Sequence, residues 1–250
     1  MRRNDIIQDI TVAGMRYARI LTENLNNEEA EQLKRDYQHA DVYCFGRPID
    51  LPGFQRLKQL TYAINLTLGP DRIFANFHST TRNQINKLSR NAYVTLKLLD
   101  PDEASSYDLY AEVKKADGAN PDIREEFVNC IYANAYLRGS LFVTTTFYDN
   151  GVQLRLKHIA SLRKSIGDDS KFVAHATRAI IWNLCGWASA RGRTLLDLGG
   201  VNFTDPAKAG IVQFKESFGG DLIEVSIYRY DTCTFAEYRK QLNASGVNIL

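Results

Sequence analysis

The stretch Arg193-Thr-Leu-Leu-Asp-Leu-Gly-Gly-Val201 contains a short apolar strand that carries one acid, Asp197, and ends on two glycines. A loop and a helix follow in Ile211-Val-Gln-Phe-Lys-Glu-Ser-Phe-Gly-Gly220, which carries Phe214 and Lys215. Before the strand, apolar residues cover more than one stripe of a helix expected over residues 171–191, which predicts that this helix is largely buried. A second strand is expected at residues 222–230. The rest of the chain is interpreted around this core.

In residues 140–148 and 152–160, apolar and polar side chains alternate as they do in strands, and the Asp149-Asn150-Gly151 turn between them is the strongest hairpin signal in the chain. Further strands are expected at residues 41–46, 60–68 and 93–99. Further helices are expected at residues 26–37, 69–90, 102–117, 121–138, 206–218 and 234–242. A helix between strands implies a parallel crossover, whereas the hairpin requires antiparallel pairing. The pattern therefore predicts an α/β fold with a mixed sheet and helices on both faces.

The composition excludes several classes of function. The chain has 250 residues, 44% of them hydrophobic and 24% charged, and its net charge of +2 gives no argument for a nucleic-acid or membrane surface. The four cysteines are far apart and show no zinc-site spacing, so no metal is expected. The first residues are polar and lack the apolar core of a signal peptide, and no segment is apolar enough to span a membrane. A cytoplasmic protein with free thiols is the expectation.

Several short motifs together resemble a known family. These are Trp187-Ala-Ser-Ala-Arg-Gly192, Leu196-Asp-Leu-Gly-Gly-Val201, Gly210-Ile-Val-Gln-Phe-Lys215 and Phe218-Gly-Gly220, with Thr61-Tyr-Ala-Ile-Asn-Leu66 and the helix Thr81-Arg-Asn-Gln-Ile-Asn-Lys87 upstream. The series resembles the Fem-type, non-ribosomal peptidyltransferase branch of the GNAT N-acyltransferases, over about residues 60–231. The resemblance implies a GNAT-like fold, with residues 1–89 as an abbreviated N-terminal GNAT-like half and residues 90–250 as the acyltransferase domain.

The resemblance also implies an activity, with two departures from the Fem pattern. The chain is too short for two complete halves, and it has no long charged helical arm of the kind associated with an aminoacyl-tRNA donor. We therefore expect an N-acyltransferase that moves an acyl group from acyl-CoA to the amine of an amino sugar, plausibly nucleotide-linked and destined for a bacterial surface polysaccharide such as lipopolysaccharide O-antigen. One alternative is an aminoacyl-tRNA-dependent peptidyltransferase acting on a peptidoglycan precursor. Another is a binding module without catalysis. Exposed edges and the aromatic content favour a homodimer.

Three residues are the main catalytic candidates. By resemblance, Lys215 contacts a donor phosphate and stabilises the tetrahedral intermediate, while the Phe214 carbonyl polarises the amine. Asp197 lies near the end of an apolar strand, where a buried acid is either paired or functional, so it is a candidate base or a group that orients the amine. The alternatives are a surface lysine on a helix for Lys215 and a structural acid bonded to the Gly199-Gly200 turn for Asp197.

The remaining candidates follow from position. His158 lies on the strand expected to line the acyl groove, with a partly exposed structural histidine as the alternative. Arg82 and Lys87 are candidate contacts for a substrate diphosphate, and a solvated helix face is the alternative. The usual pyrophosphate signature is absent before the long helix. The donor-binding candidates are therefore Arg163, Lys164, Ser165, Gly167, Gly199 and Gly200, and a plain polar loop and turn are their alternatives.

Overall fold

The computed structural model describes residues 5–249 and divides them into two compact units. The first unit contains residues up to 61, Asn120–Asn129 and residues from 223 onward; the second contains Tyr62–Ala119 and Cys130–Leu222. The strands are β1 (Ile6–Val12), β2 (Met15–Thr22), β3 (His39–Cys44), β4 (Gln55–Asn65), β5 (Val94–Leu98), β6 (Ile131–Leu137), β7 (Ser140–Asp149), β8 (Gln153–Ser161), β9 (Leu195–Val201) and β10 (Asp221–Asp231). The helices are α1 (Asn27–Asp36), α2 (Pro70–Asn76), α3 (Ser79–Leu88), α4 (Glu103–Ala116), α5 (Lys171–Ser189), α6 (Ala209–Glu216) and α7 (Cys233–Ala244).

In the first unit the strand order is β1-β2-β3-β10. The β2–β3 pair is parallel, whereas the β1–β2 and β3–β10 pairs are antiparallel. A capping box between Asn26 and Glu29 starts α1, which buries Ala30 and Leu33 in an apolar cluster. Buried His39 on β3 lies 2.6 Å from an Asp231 oxygen and stacks on Phe235 of α7. The C-terminal helix is therefore attached to an early strand.

In the second unit the strand order is β4-β9-β8-β7-β6-β5. Strands β5 to β8 are antiparallel to one another, and β9 joins β8 in parallel after the α5 crossover. The main apolar core of this unit is formed by α5, α2 and α3 packed against these strands. Residues on α5 such as Ile180, Leu184 and Cys185 are fully buried, as expected for a helix that is apolar on more than one stripe.

Several predicted elements are confirmed. The hairpin joins β7 to β8 at residues 150–152, where the Asn150 side chain accepts hydrogen bonds from Val152 N and Gln153 N, and Gly151 has a positive φ of 84°. The long helix α5, strand β9 and helix α6 follow in the predicted order. The mixed α/β class predicted from the sequence is confirmed.

The helix predicted at residues 121–138 is wrong. The chain instead forms a short 3₁₀ turn, Arg124–Phe127, and then strand β6 between β5 and β7. Pairing with a strand on each side, together with the burial of Asn134, makes this segment a strand. The Asn134 amide donates to Asp100 Oδ2 at 3.1 Å and to Ser106 Oγ at 2.8 Å. Tertiary pairing thus overrides local propensity.

Two boundaries also differ from the sequence interpretation. The helix expected over residues 69–90 is two helices, because Phe77 is extended (ψ 143°) and separates α2 from α3. The compact units divide within β4 and within β10, and not at residue 89. Residues 62–89 belong to the second unit because α3 packs against α5. That residues 1–89 are an abbreviated GNAT-like half stays a prediction.

Candidate functional site

The Asp197 carboxylate lies at the end of the parallel ladder between β8 and β9. The register runs from Gln153 opposite Leu195 to Arg155 opposite Asp197, after which β8 continues to Ser161 and β9 to Val201. Asp197 is fully buried, and its Oδ1 accepts a 2.7 Å hydrogen bond from Gly199 N. This bond closes a local turn at the point where the two strands stop pairing.

Arg155 is the partner that the sequence interpretation missed. It is only 5% exposed, and its Nη1 donates to Asp197 Oδ2 across the last pair of the ladder. A buried carboxylate and guanidinium stabilise each other, and removing either leaves an uncompensated buried charge. The available signal was an acid inside the apolar strand β9 and an arginine between Leu154 and Leu156 on β8. These contacts favour an orienting role for Asp197 over the role of base.

Gly199 is required by both its conformation and its surroundings. Its φ of +75° belongs to the left-handed region, which L side chains rarely adopt. A Cβ at this position would lie 3.2 Å from Leu156 O and 3.5 Å from Lys215 Nζ. The turn therefore brings bare backbone against the lysine.

Lys215 is buried and bound to this turn. Its Nζ donates to Gly199 O at 3.0 Å and to Gly200 O at 2.7 Å, and the residue is 9% exposed. Burial lowers the pKa of Lys215 to about 8; Asp197 raises it and Arg155 lowers it further. A lysine ammonium has three N–H donors, so one remains for a ligand after these two bonds. Lys215, Asp197, Gly199 and Gly200 thus come together as one site, with Arg155 behind them.

Phe214 precedes Lys215 on α6, and its backbone carbonyl and its ring make contacts different from those of Lys215. Its carbonyl oxygen accepts a 2.7 Å hydrogen bond from Ser217 Oγ. A carbonyl oxygen has two lone pairs, so the acceptor role expected from the resemblance is still open to it. Its ring packs edge-on against Phe218 at 5.1 Å, and the Arg178 guanidinium lies 5.0 Å from its centre.

His158 lies further along β8, beyond a bulge in the pairing of β7 with β8. The register passes from Thr146 opposite His158 to Phe147 opposite Leu156. The imidazole is half-buried, and its ring centroid is 4.4 Å from that of Tyr110 on α4. The imidazole therefore packs against α4, and its role as a base stays a prediction.

The loop before α5 shows few features of a phosphate cradle. Lys164 is paired with Asp117 at 2.5 Å, and Ser165 Oγ donates to Leu162 O at 3.1 Å. Arg163 is exposed, and Gly167 starts a 3₁₀ turn with a φ of +54°. The next two residues in that turn are Asp168 and Asp169, and acids disfavour an anion at the start of a helix.

The two proposed diphosphate contacts on α3 differ in their surroundings. The Arg82 Nη1 donates to Ala75 O at 2.8 Å and to Phe77 O at 2.5 Å, and it thereby caps the end of α2. Lys87 is exposed at the other end of α3. The structure does not bring these two residues together with Lys215, and their part in substrate binding stays a prediction.

A cleft with about 200 Å³ of space lies just beyond Lys215, where α6 ends. A Cβ on Gly219 or Gly220 would lie 2.0 Å from Asn76 O or 2.5 Å from Ala63 O, so these glycines permit the close approach that forms the cleft wall. The lining is partly apolar and partly amide or acid: Ile64, Asn65, Leu68, Ile73, Asn76, Phe218, Gly219, Gly220 and Asp221.

Neither a metal-binding cluster nor a membrane-spanning helix occurs in residues 5–249. No three histidine, cysteine, aspartate or glutamate side chains of this range are grouped so that they could hold a metal ion. Within the same range, every helix is too short or too polar to cross a bilayer.

Comparison with known proteins gives structural relatives. No protein-family model matches the chain, and no curated protein sequence does so either. The C-terminal domain of a protein designated a lysylphosphatidylglycerol synthetase from Agrobacterium fabrum has a TM-score of 0.56 at 11% identity, over 92% of this chain and 82% of that one. FemX has a TM-score of 0.56 at 12% identity, over 94% and 85%. L-PGS from Bacillus licheniformis has a TM-score of 0.52 at 11% identity, over 97% and 85%.

At such identities the likeness shows the fold alone. The chain shares its fold with FemX, with the Agrobacterium fabrum domain and with L-PGS, and the GNAT-like fold class predicted from the sequence is confirmed. Fem-type proteins, which the sequence motifs suggested, are thus among its structural neighbours.

Proposed function

We propose that this protein is an N-acyltransferase that moves an acyl group from acyl-CoA to the primary amine of an amino sugar. The amine nitrogen would attack the thioester carbonyl carbon and form an amide. The carbon–sulfur bond would break, the thiolate would leave, and the amine would give up a proton. The observation that carries the proposal is the buried Lys215 ammonium, bound to the Gly199 and Gly200 carbonyls at the end of the β8–β9 ladder.

In this proposal Lys215 stabilises the developing oxyanion. Its position is fixed by two backbone carbonyls, and one N–H remains for the reacting oxygen. A preorganised donor in a site shielded from water is worth far more than the same donor in solution. The lysine must be protonated to donate, and a pKa of about 8 keeps it mostly protonated at neutral pH.

Asp197 and Arg155 would act as positioning residues. The Asp197 carboxylate holds Gly199 N, and the Gly199 and Gly200 carbonyls hold Lys215. Arg155 neutralises the carboxylate and fixes its orientation. His158 is then the candidate that would accept the proton of the amine, and Phe214 O the candidate that would orient it.

The acceptor would occupy the cleft at the end of α6. A space of about 200 Å³ suits one sugar ring better than a whole nucleotide sugar, because the pockets that hold drug-sized ligands measure roughly 300–1,000 Å³. Asn65 and Asn76 offer amide groups to hydroxyls, and Asp221 offers a carboxylate to an amine. A nucleotide carrier would extend outside the cleft, where Arg82 and Lys87 are the proposed diphosphate contacts.

A second candidate donor is aminoacyl-tRNA, with a peptidoglycan precursor as the acceptor. The observations that favour it are the FemX likeness and the loop before α5, where Lys164 is already paired and two acids precede the helix. Those features weaken the support that Arg163, Lys164, Ser165 and Gly167 give to coenzyme A binding.

The test combines calorimetry with turnover. Acetyl-CoA and longer acyl-CoAs are titrated into the protein at two salt concentrations, and those that bind are paired with nucleotide-linked amino sugars. Lys215→Met is expected to lower turnover by roughly 10²–10³-fold. Lys208→Met, an exposed lysine at the start of the same helix, is the matched control and should change little.

The outcome separates the two donors. If no acyl-CoA binds, the coenzyme A proposal is overturned. Salt-sensitive binding of aminoacyl-tRNA would then support the second candidate, because phosphate contacts release counterions. If neither donor gives turnover, the fold serves binding alone.

A further inference from the structure

Four basic side chains share one surface of the second unit, outside the Lys215 site. Lys171, His175 and Arg178 are spaced i, i+4 and i+7 on α5, so they lie on one face of that helix. Lys87 joins them from α3, which packs against α5. We call these four residues the α3–α5 basic cluster.

Arg178 lies at one end of the cluster and is half-buried. Its Nε donates to Thr81 Oγ1 at 3.3 Å, its Nη1 lies 3.4 Å from Ala174 O, and its guanidinium is 5.0 Å from the centre of the Phe214 ring. A guanidinium has five N–H donors, so most of this fork is left for another acceptor. Burial lowers the pKa of Arg178, which shows that its charge is partly removed from water.

Among the residues that the structure describes, the lysines and the arginine of the cluster have no carboxylate partner; Asp168 and Asp169 precede Lys171 in the chain, and Asp169 is paired with Arg138 at 2.8 Å. Within residues 5–249, Lys87, Lys171 and Arg178 form no salt bridge with any carboxylate. Burial lowers the pKa of His175, and the positive charges of Lys87, Arg178 and Lys171 lower it further. Gathering like charges costs free energy that an anion would recover.

We propose that the α3–α5 basic cluster is a binding site for the phosphate or diphosphate group of a small-molecule substrate. A guanidinium fork and two ammonium groups around the His175 imidazole match a multiply charged oxyanion better than a single carboxylate. The site is confined to two helices, and a net charge of +2 provides no extended surface for a nucleic acid. The contact of Arg178 with Phe214 joins the cluster to α6, the helix that carries Lys215.

The first experiment uses pyrophosphate and needs no turnover, so it is independent of the proposed function. The His175 imidazole is followed by NMR through a pH titration, with and without pyrophosphate. Bound anion should raise the pKa of His175, because it cancels the repulsion from Lys87, Lys171 and Arg178. An unchanged His175 titration at saturating pyrophosphate would overturn the proposal.

Three variants distinguish a specific anion site from a general effect of surface charge on pyrophosphate binding. Arg178→Gln should weaken pyrophosphate binding by roughly 10–100-fold, since hydrogen bonds to charged groups are lost. Lys87→Gln, at an exposed position that does not endanger folding, should weaken it by about two- to fivefold. Lys115→Gln removes the same charge from an exposed position on α4 and should leave binding unchanged. Equal losses in Lys87→Gln and Lys115→Gln would contradict the proposal.

Two further arms identify the source of the phosphate. Coenzyme A and uridine diphosphate are titrated into the wild type and into Lys87→Gln. Weaker binding of coenzyme A by the variant assigns the site to the acyl donor, whereas weaker binding of uridine diphosphate assigns it to the carrier of the acceptor. If only the binding of a short single-stranded RNA depends on Lys87 and Arg178, the small-molecule proposal is wrong.

Discussion

Replacing either member of the buried Arg155–Asp197 pair should destabilise the second unit more than replacing both. Asp197 is fully buried and Arg155 is 5% exposed, so each single substitution leaves one charge without its partner in the interior. Breaking such a pair costs about 3–5 kcal/mol. Arg155→Met and Asp197→Asn should each lose that much, and the double variant should lose less than either single variant, which corresponds to a coupling of at least about 3 kcal/mol.

The same two substitutions should move the pKa of Lys215 in opposite directions. Asp197 raises this pKa and Arg155 lowers it, while burial keeps it near 8. Asp197→Asn should therefore shift the alkaline limb of the pH–rate profile below pH 8, and Arg155→Met should shift it above. If Asp197 were the base, Asp197→Asn would instead abolish the acid limb. This difference separates a positioning role from proton transfer.

The stability assay is urea unfolding followed by tryptophan fluorescence. Both tryptophans of the chain, Trp182 and Trp187, lie on α5, so the signal reports the second unit. The dependence of the unfolding free energy on urea concentration should be the same in all variants. A change in the urea midpoint then reports a change in stability. Single-variant losses that add to within about 0.5 kcal/mol in the double variant would refute the coupling between the two residues.

Three further predictions concern other residues. Lys215→Arg should remove the alkaline limb near pH 8 in the rate profile, because the guanidinium stays charged, and a retained limb would assign it to another group. Gly219→Ala should lower stability by about 2–5 kcal/mol, since its Cβ would lie 2.0 Å from Asn76 O. The control Gly118→Ala also has a positive φ but lies in open space, so it should lower stability by only about 1–2 kcal/mol in the same fluorescence assay. Burial lowers the pKa of His39, but the Asp231 and Asp41 carboxylates raise it by more, so that the net pKa is raised. The first unit should therefore lose stability as pH rises above about 6.5, which hydrogen exchange would measure. His39→Gln should flatten this pH dependence.

Local signals in the sequence predicted much of the second unit. The Asp149-Asn150-Gly151 turn could be predicted from local backbone geometry alone, and the burial of α5 could be predicted from the spacing of its apolar residues. Strand β6 was not predicted, because its identity depends on pairing with β5 and β7. No local signal contains that pairing.

The candidate site shows the same division. Asp197 stood out because a charged residue in an apolar strand needs a partner or a role, whereas Lys215 was suggested by the family resemblance. Arg155 was not found, since its partner lies 42 residues away and the two meet only through the β8–β9 register. Arg82 looked like a basic helix residue, but the break between α2 and α3, invisible in the sequence, supplies the carbonyls that it binds.

The interleaved composition of the two units has a consequence for how the protein is made. Translation delivers Leu222, the last residue of the second unit, before most of β10 and all of α7. The early strands of the first unit must therefore remain without β10 until residues 226–231 have been synthesised, and His39 must wait for Asp231. At roughly 5–20 residues per second this delay is on the order of 10 s. The early strands of the first unit are thus among the last of these elements to finish folding, and the nascent chain exposes an unpaired strand edge throughout that time.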